Sequence, residues 1–230
     1  MNVFVKRYHD PQTAEAAAAH LTWLTNLGTG VRLPALWTCA GPWLVTELLT
    51  GHHPRPADLP GVAAALGTLH RRAYDRHLHQ ARLDRPFRVD GLLIGDFVTP
   101  RRAALARQPV THTGLPAAIY KDTNLRNVLL TDQGVALVDF DDLTLAPFGY
   151  DLAKLIVSTA MTYGQPAASL VADVIAAYNT RVGVNACTND RLHRYAELHG
   201  SLTAPYLHRN GYHHPWPTVR PWPAPARNNP

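Results

Sequence analysis

Residues 120–142 constrain this chain more than any other stretch: Tyr-Lys-Asp-Thr-Asn-Leu-Arg-Asn-Val-Leu-Leu-Thr-Asp-Gln-Gly-Val-Ala-Leu-Val-Asp-Phe-Asp-Asp. A polar loop leads into a short apolar strand at 128–130, a turn at Asp132-Gln133-Gly134, and a second apolar strand at 135–138. The second strand runs into Asp139, Asp141 and Asp142. A hairpin that ends in carboxylates, with Asp122 and Asn127 just ahead of it, has what a Mg-nucleotide site needs. Asp122, Asn127 and Asp139 are hard oxygen ligands or proton acceptors, suited to Mg2+ and phosphate chemistry.

The rest of the chain gives that hairpin a setting. Its 230 residues suffice for one domain of two lobes. Val3 to Tyr8 alternates as a strand with Lys6 in its middle, and Asp10-Pro11 starts a helix that Gly28 closes. Two antiparallel strands follow, at 33–39 and 43–49, so residues 1–50 read as a small α+β lobe. From Asp58 onward the spacing is helical, with helices expected near 59–70, 101–107, 152–161, 167–178 and 190–207. Residues 51–210 thus form a helical lobe, and 211–230, rich in Pro, read as an extended tail.

No apolar run approaches a membrane span, and the first residues lack a signal-peptide core. Two widely separated cysteines, Cys39 and Cys187, fit a reducing, cytoplasmic compartment. The net charge of +5 is concentrated in residues 70–107, where nine Arg face four Asp. That density suits an anionic partner or a solvated helix face. Lysine is scarce: only Lys6, Lys121 and Lys154 occur in a chain that otherwise uses Arg. A lysine kept in such a chain suggests that a compact ammonium is wanted there.

The motif Tyr-Lys-Asp-x4-Asn-Val-Leu-Leu, followed by Val-Asp-Phe-Asp-Asp and Tyr-Asp-Leu-Ala, resembles the aminoglycoside phosphotransferase and choline kinase family of small-molecule kinases. The resemblance spans residues 3–180 and implies an α+β, protein-kinase-like two-lobed fold with a small N-terminal sheet lobe. It implies ATP and Mg2+ as cofactors and a small-molecule hydroxyl as acceptor, with no nucleic-acid or membrane partner. By the same resemblance Asp122 is the catalytic base, Asn127 and Asp139 hold Mg2+, and Lys6 grips the α- and β-phosphates with Glu15 as its ion-pair partner. The backbone from Glu47 to Leu49 would meet adenine. Lys121 stands where the family commonly has Gly, which places its ammonium near the transferred phosphate or near Asp122. Tyr120 replaces the usual His. No Gly-rich turn precedes Lys6, which motivates a rival reading as a non-catalytic nucleotide-binding module. The basic helical lobe, with a single Glu, points away from a polycationic acceptor and towards a neutral or anionic one.

Overall fold

A computed structural model describes residues 2–183 and 186–223. Strand β1 (Val3–Arg7) precedes helix α1 (Pro11–Asn26). The helix begins where the sequence requires: the Asp10 carboxylate accepts the Thr13 N–H at 2.7 Å, and Pro11 occupies the first turn, where no N–H is needed. Strands β2 (Leu36–Ala40) and β3 (Trp43–Glu47) complete an antiparallel sheet in the order β1-β3-β2, with Lys6 opposite Leu44.

Helix α1 joins the two lobes. Ala14, Ala17 and Ala18 pack with Tyr8 and Leu44 under the sheet, while Leu21, Trp23, Leu24 and Leu27 enter the main core. Helix α2 (Leu59–Arg76) then secures the end of α1: Arg72 donates to Leu27 O at 3.0 Å and Arg76 to Asn26 O at 2.7 Å. Two arginines of the basic stretch are therefore spent on the free carbonyls of a helix terminus.

Residues 82–118, which lack a clear period, contain a hairpin of β4 (Phe87–Val89) and β5 (Leu92–Ile94) around Asp90-Gly91, then helix α3 (Arg102–Arg107) and the start of the wholly buried β6 (Ala117–Tyr120). Strands β7 (Val128–Thr131) and β8 (Gly134–Leu137) form the expected hairpin, and β9 (Thr144–Pro147) pairs antiparallel with β6. Helices α4 (Tyr150–Tyr163), α5 (Ala168–Val182) and α6 (Asn189–Thr203) fill the lobe. Gly149 caps the start of α4 and must be glycine there, since its φ is +86° and a Cβ would lie 2.4 Å from Cys187 Sγ.

The expected tail is corrected over its described part. Residues 211–223 fold back onto the lobe through the short helix α7 (Trp216–Val219), burying Tyr212, Trp216 and Val219. Trp216 packs on α6 at Gly200, where a Cβ would fall 2.3 Å from the indole. Residues 224–230 of the expected tail lie outside the described residues. Among the described residues, no helix is long and apolar enough to cross a membrane.

Candidate active site

The hairpin register assembles the site. Val128 pairs with Leu137, and one step further Val138 N–H donates to Asn127 O at 2.9 Å. Asn127 and Asp139 therefore leave the hairpin base side by side. Asn127 Nδ2 donates to Asp122 O at 2.9 Å and lies 3.4 Å from Asp122 Oδ2. That commitment leaves Asn127 Oδ1 as the free oxygen. Asp122 and Asp139 have φ of +52° and +66°, left-handed conformations that short polar side chains tolerate best and that collect at functional sites.

Two cavities meet this base. A cavity of about 440 Å³ between the lobes is lined by Lys6, Thr46, Leu49, Asn127 and Asp139. Another, of about 590 Å³ in the helical lobe, is lined by Tyr120, Asp122, Lys154, His199 and Tyr212. Arg126 borders both.

Lys6 crosses the first cavity to Asp139 Oδ1 at 2.9 Å and Asp141 Oδ2 at 2.6 Å. Tyr8 OH donates to the other oxygen of Asp141, also at 2.6 Å. Burial disfavours the Lys6 ammonium, but the hydrogen bonds and charges of Asp141 and Asp139 outweigh it and hold its pKa above the usual lysine range. Burial likewise pushes the Asp139 carboxyl up, and the Lys6 hydrogen bond and charge reverse that, so Asp139 titrates below the carboxylate range. Asn127 Oδ1 and the Asp139 carboxylate suit Mg2+, which takes one or two protein oxygens and completes its shell with water and phosphate oxygens.

Two expectations are corrected and a third is narrowed. Glu15 does not pair with Lys6: Ala14, Ala17 and Ala18 mark the buried face of α1, and Glu15 projects from the exposed one. The acids that take Lys6 come from the β8–β9 connection instead. At the hinge, Glu47 N–H already donates to Ala35 O at 2.9 Å and Leu48 N–H to Asn2 O at 3.0 Å, while the Glu47 carboxylate is tied to Arg32. The Leu49 N–H is the hinge donor left without a backbone partner among the described residues. Lys121, finally, does not enter either cavity. It is 2% exposed, lies over the Phe140 ring, and donates to Val138 O and Asp139 O, both at 2.5 Å.

Lys121 thus fastens the strand end that carries Asp139, and it does so as a buried cation with no carboxylate partner among the described residues. Burial lowers its pKa to about 8, against the raising effect of Asp139 and Asp122. The folded chain gives up this proton near pH 8, whereas the unfolded chain keeps it to about 10.4. Between those values the unfolded state binds more protons, so this group's contribution to stability rises with pH, by about 3 kcal/mol in all. Thermal unfolding at pH 7.5 to 10 should show the stability difference between wild type and Lys121→Met moving in favour of wild type as pH rises, and a difference that does not change with pH would contradict this assignment.

In the helical-lobe cavity, Lys154 is a candidate site residue that motif spacing alone did not identify. Its ammonium lies 3.1 Å from Asp122 Oδ1 and 3.3 Å from Tyr212 OH, and Tyr120 OH donates to the same Oδ1 at 3.1 Å. Burial opposes the Lys154 charge, yet Asp122 and Tyr212 hold its pKa above the usual range. The signal was its rarity, since all three lysines of the chain converge on Asp122 and Asp139.

The loop is braced from below. Thr123 Oγ1 donates to the buried Asp151, 2.9 Å from its carbonyl O and 3.1 Å from Oδ1. His70 Nε2 lies 3.2 Å from Asp151 Oδ2, and His70 Nδ1 lies 2.8 Å from Tyr178 OH, which also accepts the Gly149 N–H. One tautomer satisfies the chain: Tyr178 donates to Nδ1, and Nε2–H donates to Asp151. Asp151 is therefore a brace of the Asp122 loop, and the α4 cap position belongs to Gly149.

A small sheet lobe, a hinge, a helical lobe and an Asp–Asn–Asp set between them define the class: a protein-kinase-like fold. The sequence model of the phosphotransferase enzyme family matches residues 2–188, and the chain belongs to that family. Solved structures share the fold. Aminoglycoside phosphotransferase APH(3'')-Id of Streptomyces rimosus, in complex with ADP and streptomycin, superposes with a TM-score of 0.54 at 17% identity over 86% of this chain and 85% of its own. Choline kinase LicA of Streptococcus pneumoniae gives 0.57 at 16% identity, over 88% and 75%. The amicoumacin kinase hAmiN, with AMP-PNP and Ca2+, gives 0.56 at 14% identity, over 90% and 73%. A search of curated protein sequences found no match.

Proposed function

We propose that this small-molecule phosphotransferase is ATP- and Mg2+-dependent and phosphorylates a hydroxyl group with Asp122 as base. The observation that carries this reading is the placement of Asp122. Its carboxylate faces the helical-lobe cavity, while its backbone carbonyl and second oxygen are held by Asn127, which lines the interlobe cavity with Asp139. A hydroxyl bound in one cavity thus meets a phosphate bound in the other at a positioned proton acceptor.

In this reading the Leu49 N–H and the apolar wall of Leu44 and Leu129 take the adenine. Asn127 Oδ1 and Asp139 hold the cation, and Lys6 moves from Asp139 and Asp141 to the phosphates. Bound ATP·Mg2+ supplies the γ-phosphoryl group and the charge neutralisation. The acceptor O–H gives its proton to Asp122, its oxygen bonds to the γ-phosphorus, the β–γ bridging P–O bond breaks, and ADP leaves. Lys154 and Tyr120 hold the Asp122 carboxylate towards the acceptor throughout. A module that only binds nucleotide would have no use for a proton acceptor held in place at Asp122 by Lys154 and Tyr120. The test is acceptor-dependent ADP release across a panel of hydroxyl metabolites. Turnover that requires Mg2+ supports the reading, and its absence with every acceptor contradicts it.

A further inference from the structure

Resting on that reading, we infer that the acceptor carries an anionic group, a carboxylate or phosphate, and that Arg101 is the residue that anchors it. Arg101 borders the acceptor cavity and is 5% exposed, yet no carboxylate pairs with it among the described residues. Its guanidinium is caged by the rings of Phe97, Tyr120 and Tyr150 at 4.7, 4.8 and 4.9 Å. Three N–H groups are engaged: one with Tyr150 OH at 3.2 Å, one with Phe97 O at 3.1 Å and one with Thr144 Oγ1 at 3.3 Å. Guanidinium has five, so two donors remain uncommitted.

A purely structural role is a poor explanation. Aromatic faces compensate a cation only in part, and burying an ion costs more than burying an apolar side chain of the same size. An aromatic cage filled by Met or Leu would avoid that cost. The guanidinium is instead retained one ring away from the reacting position, since Tyr120 stacks on Arg101 and donates its hydroxyl to Asp122. A hydroxyl at Asp122 and an anion at Arg101 are the two ends of one small molecule.

The charges around the cavity agree. Arg101, Arg126 and Lys154 face only Asp122 and Asp142, and Lys154 is already paired with Asp122. Burial, and then the charges of Lys154 and Arg101, hold His199 well below the usual histidine range, so it stands uncharged beside them. The space has an unspent positive charge at its floor and would repel a polycation. A planar guanidinium also matches carboxylate and phosphate in two-point geometry.

The experiment uses glycerate and glycerol 3-phosphate as anionic hydroxyl probes, glycerol as the neutral one and choline as the cationic one. Each is added at millimolar concentration to protein saturated with ADP and Mg2+, and thermal stabilisation is measured. At least one anionic probe should add a shift that glycerol and choline do not. Arg101→Met should weaken its apparent affinity on the order of a hundredfold, with Arg101→Lys retaining part of it. The ADP·Mg2+ shift shows whether each variant is folded, and if Arg101→Met is not, Arg101→Lys decides: its response to glycerate and glycerol 3-phosphate should be weaker than that of wild type, and an undiminished response overturns the inference. A normal ADP·Mg2+ shift with no response to either anion overturns this inference alone. So does an equal response to glycerol or choline, or an undiminished response in Arg101→Met. Loss of the wild-type ADP·Mg2+ shift overturns the phosphotransferase reading and this inference together.

Discussion

Replacing Asp122 by Asn is expected to lower kcat by about a hundredfold or more while leaving nucleotide binding within a few-fold of wild type. The substitution is nearly isosteric. The amide oxygen can still accept from Lys154 and Tyr120, which both address Oδ1 at 3.1 Å, and the backbone bond from Asn127 is untouched. What is lost is the ability to take a proton. A fall in kcat with little change in KM would separate proton acceptance from acceptor binding. Equal turnover by wild type and D122N would remove Asp122 from the chemistry.

The second large effect is on stability. Asp151→Ala should destabilise the fold by about 3 kcal/mol, because it strands the His70 Nε2–H in the core, leaves the Thr123 hydroxyl only the backbone carbonyl of residue 151 as acceptor, and opens a cavity. For a domain of this size that lowers the melting temperature by roughly 6–12 °C. Thr123 adjoins Asp122, so the same change should reduce kcat beyond the loss of folded protein. Asp151→Asn, which keeps an acceptor, should cost less on both counts. A melting temperature unchanged by Asp151→Ala would mean that the His70–Asp151–Thr123 chain does not hold the loop.

The grouping of Asp122, Asn127 and Asp139 was legible because it is local. Asp122, Asn127 and Asp139 lie within one loop and one hairpin, and alternation with an Asp-Gln-Gly turn sets the register that joins them. The start of α1 was legible for the same reason, through Asp10 and Pro11. The β4–β5 hairpin also carried its signal, Asp90-Gly91 between Val89 and Leu92, a pair that supplies the positive φ values of a tight turn. The direction of Glu15 could have been read from Ala14, Ala17 and Ala18 on the opposite face.

Other features depend on distant contacts and leave no local trace. Lys154 meets Asp122 from α4, whose start follows Gly149, a residue packed against Cys187 and hydrogen-bonded to Tyr178. The C-terminal segment reads as a tail by composition, yet Trp216 finds a seat because α6 has glycine at 200. The basic stretch likewise looked like a single patch. Folding divides it among α1 carbonyls, surface pairs and the buried Arg101.

The central claim is that the cavity between the lobes holds a nucleotide through a cation on Asn127 and Asp139. The most direct test is the thermal shift produced by millimolar ATP, with and without Mg2+, in wild type and Asp139→Asn. Occupancy far above the dissociation constant should stabilise by about 2–3 kcal/mol, a shift of roughly 4–12 °C that requires Mg2+. D139N should lose most of it. A wild-type protein whose melting temperature does not respond to ATP and Mg2+, or a D139N variant that responds as fully as wild type, would contradict the account.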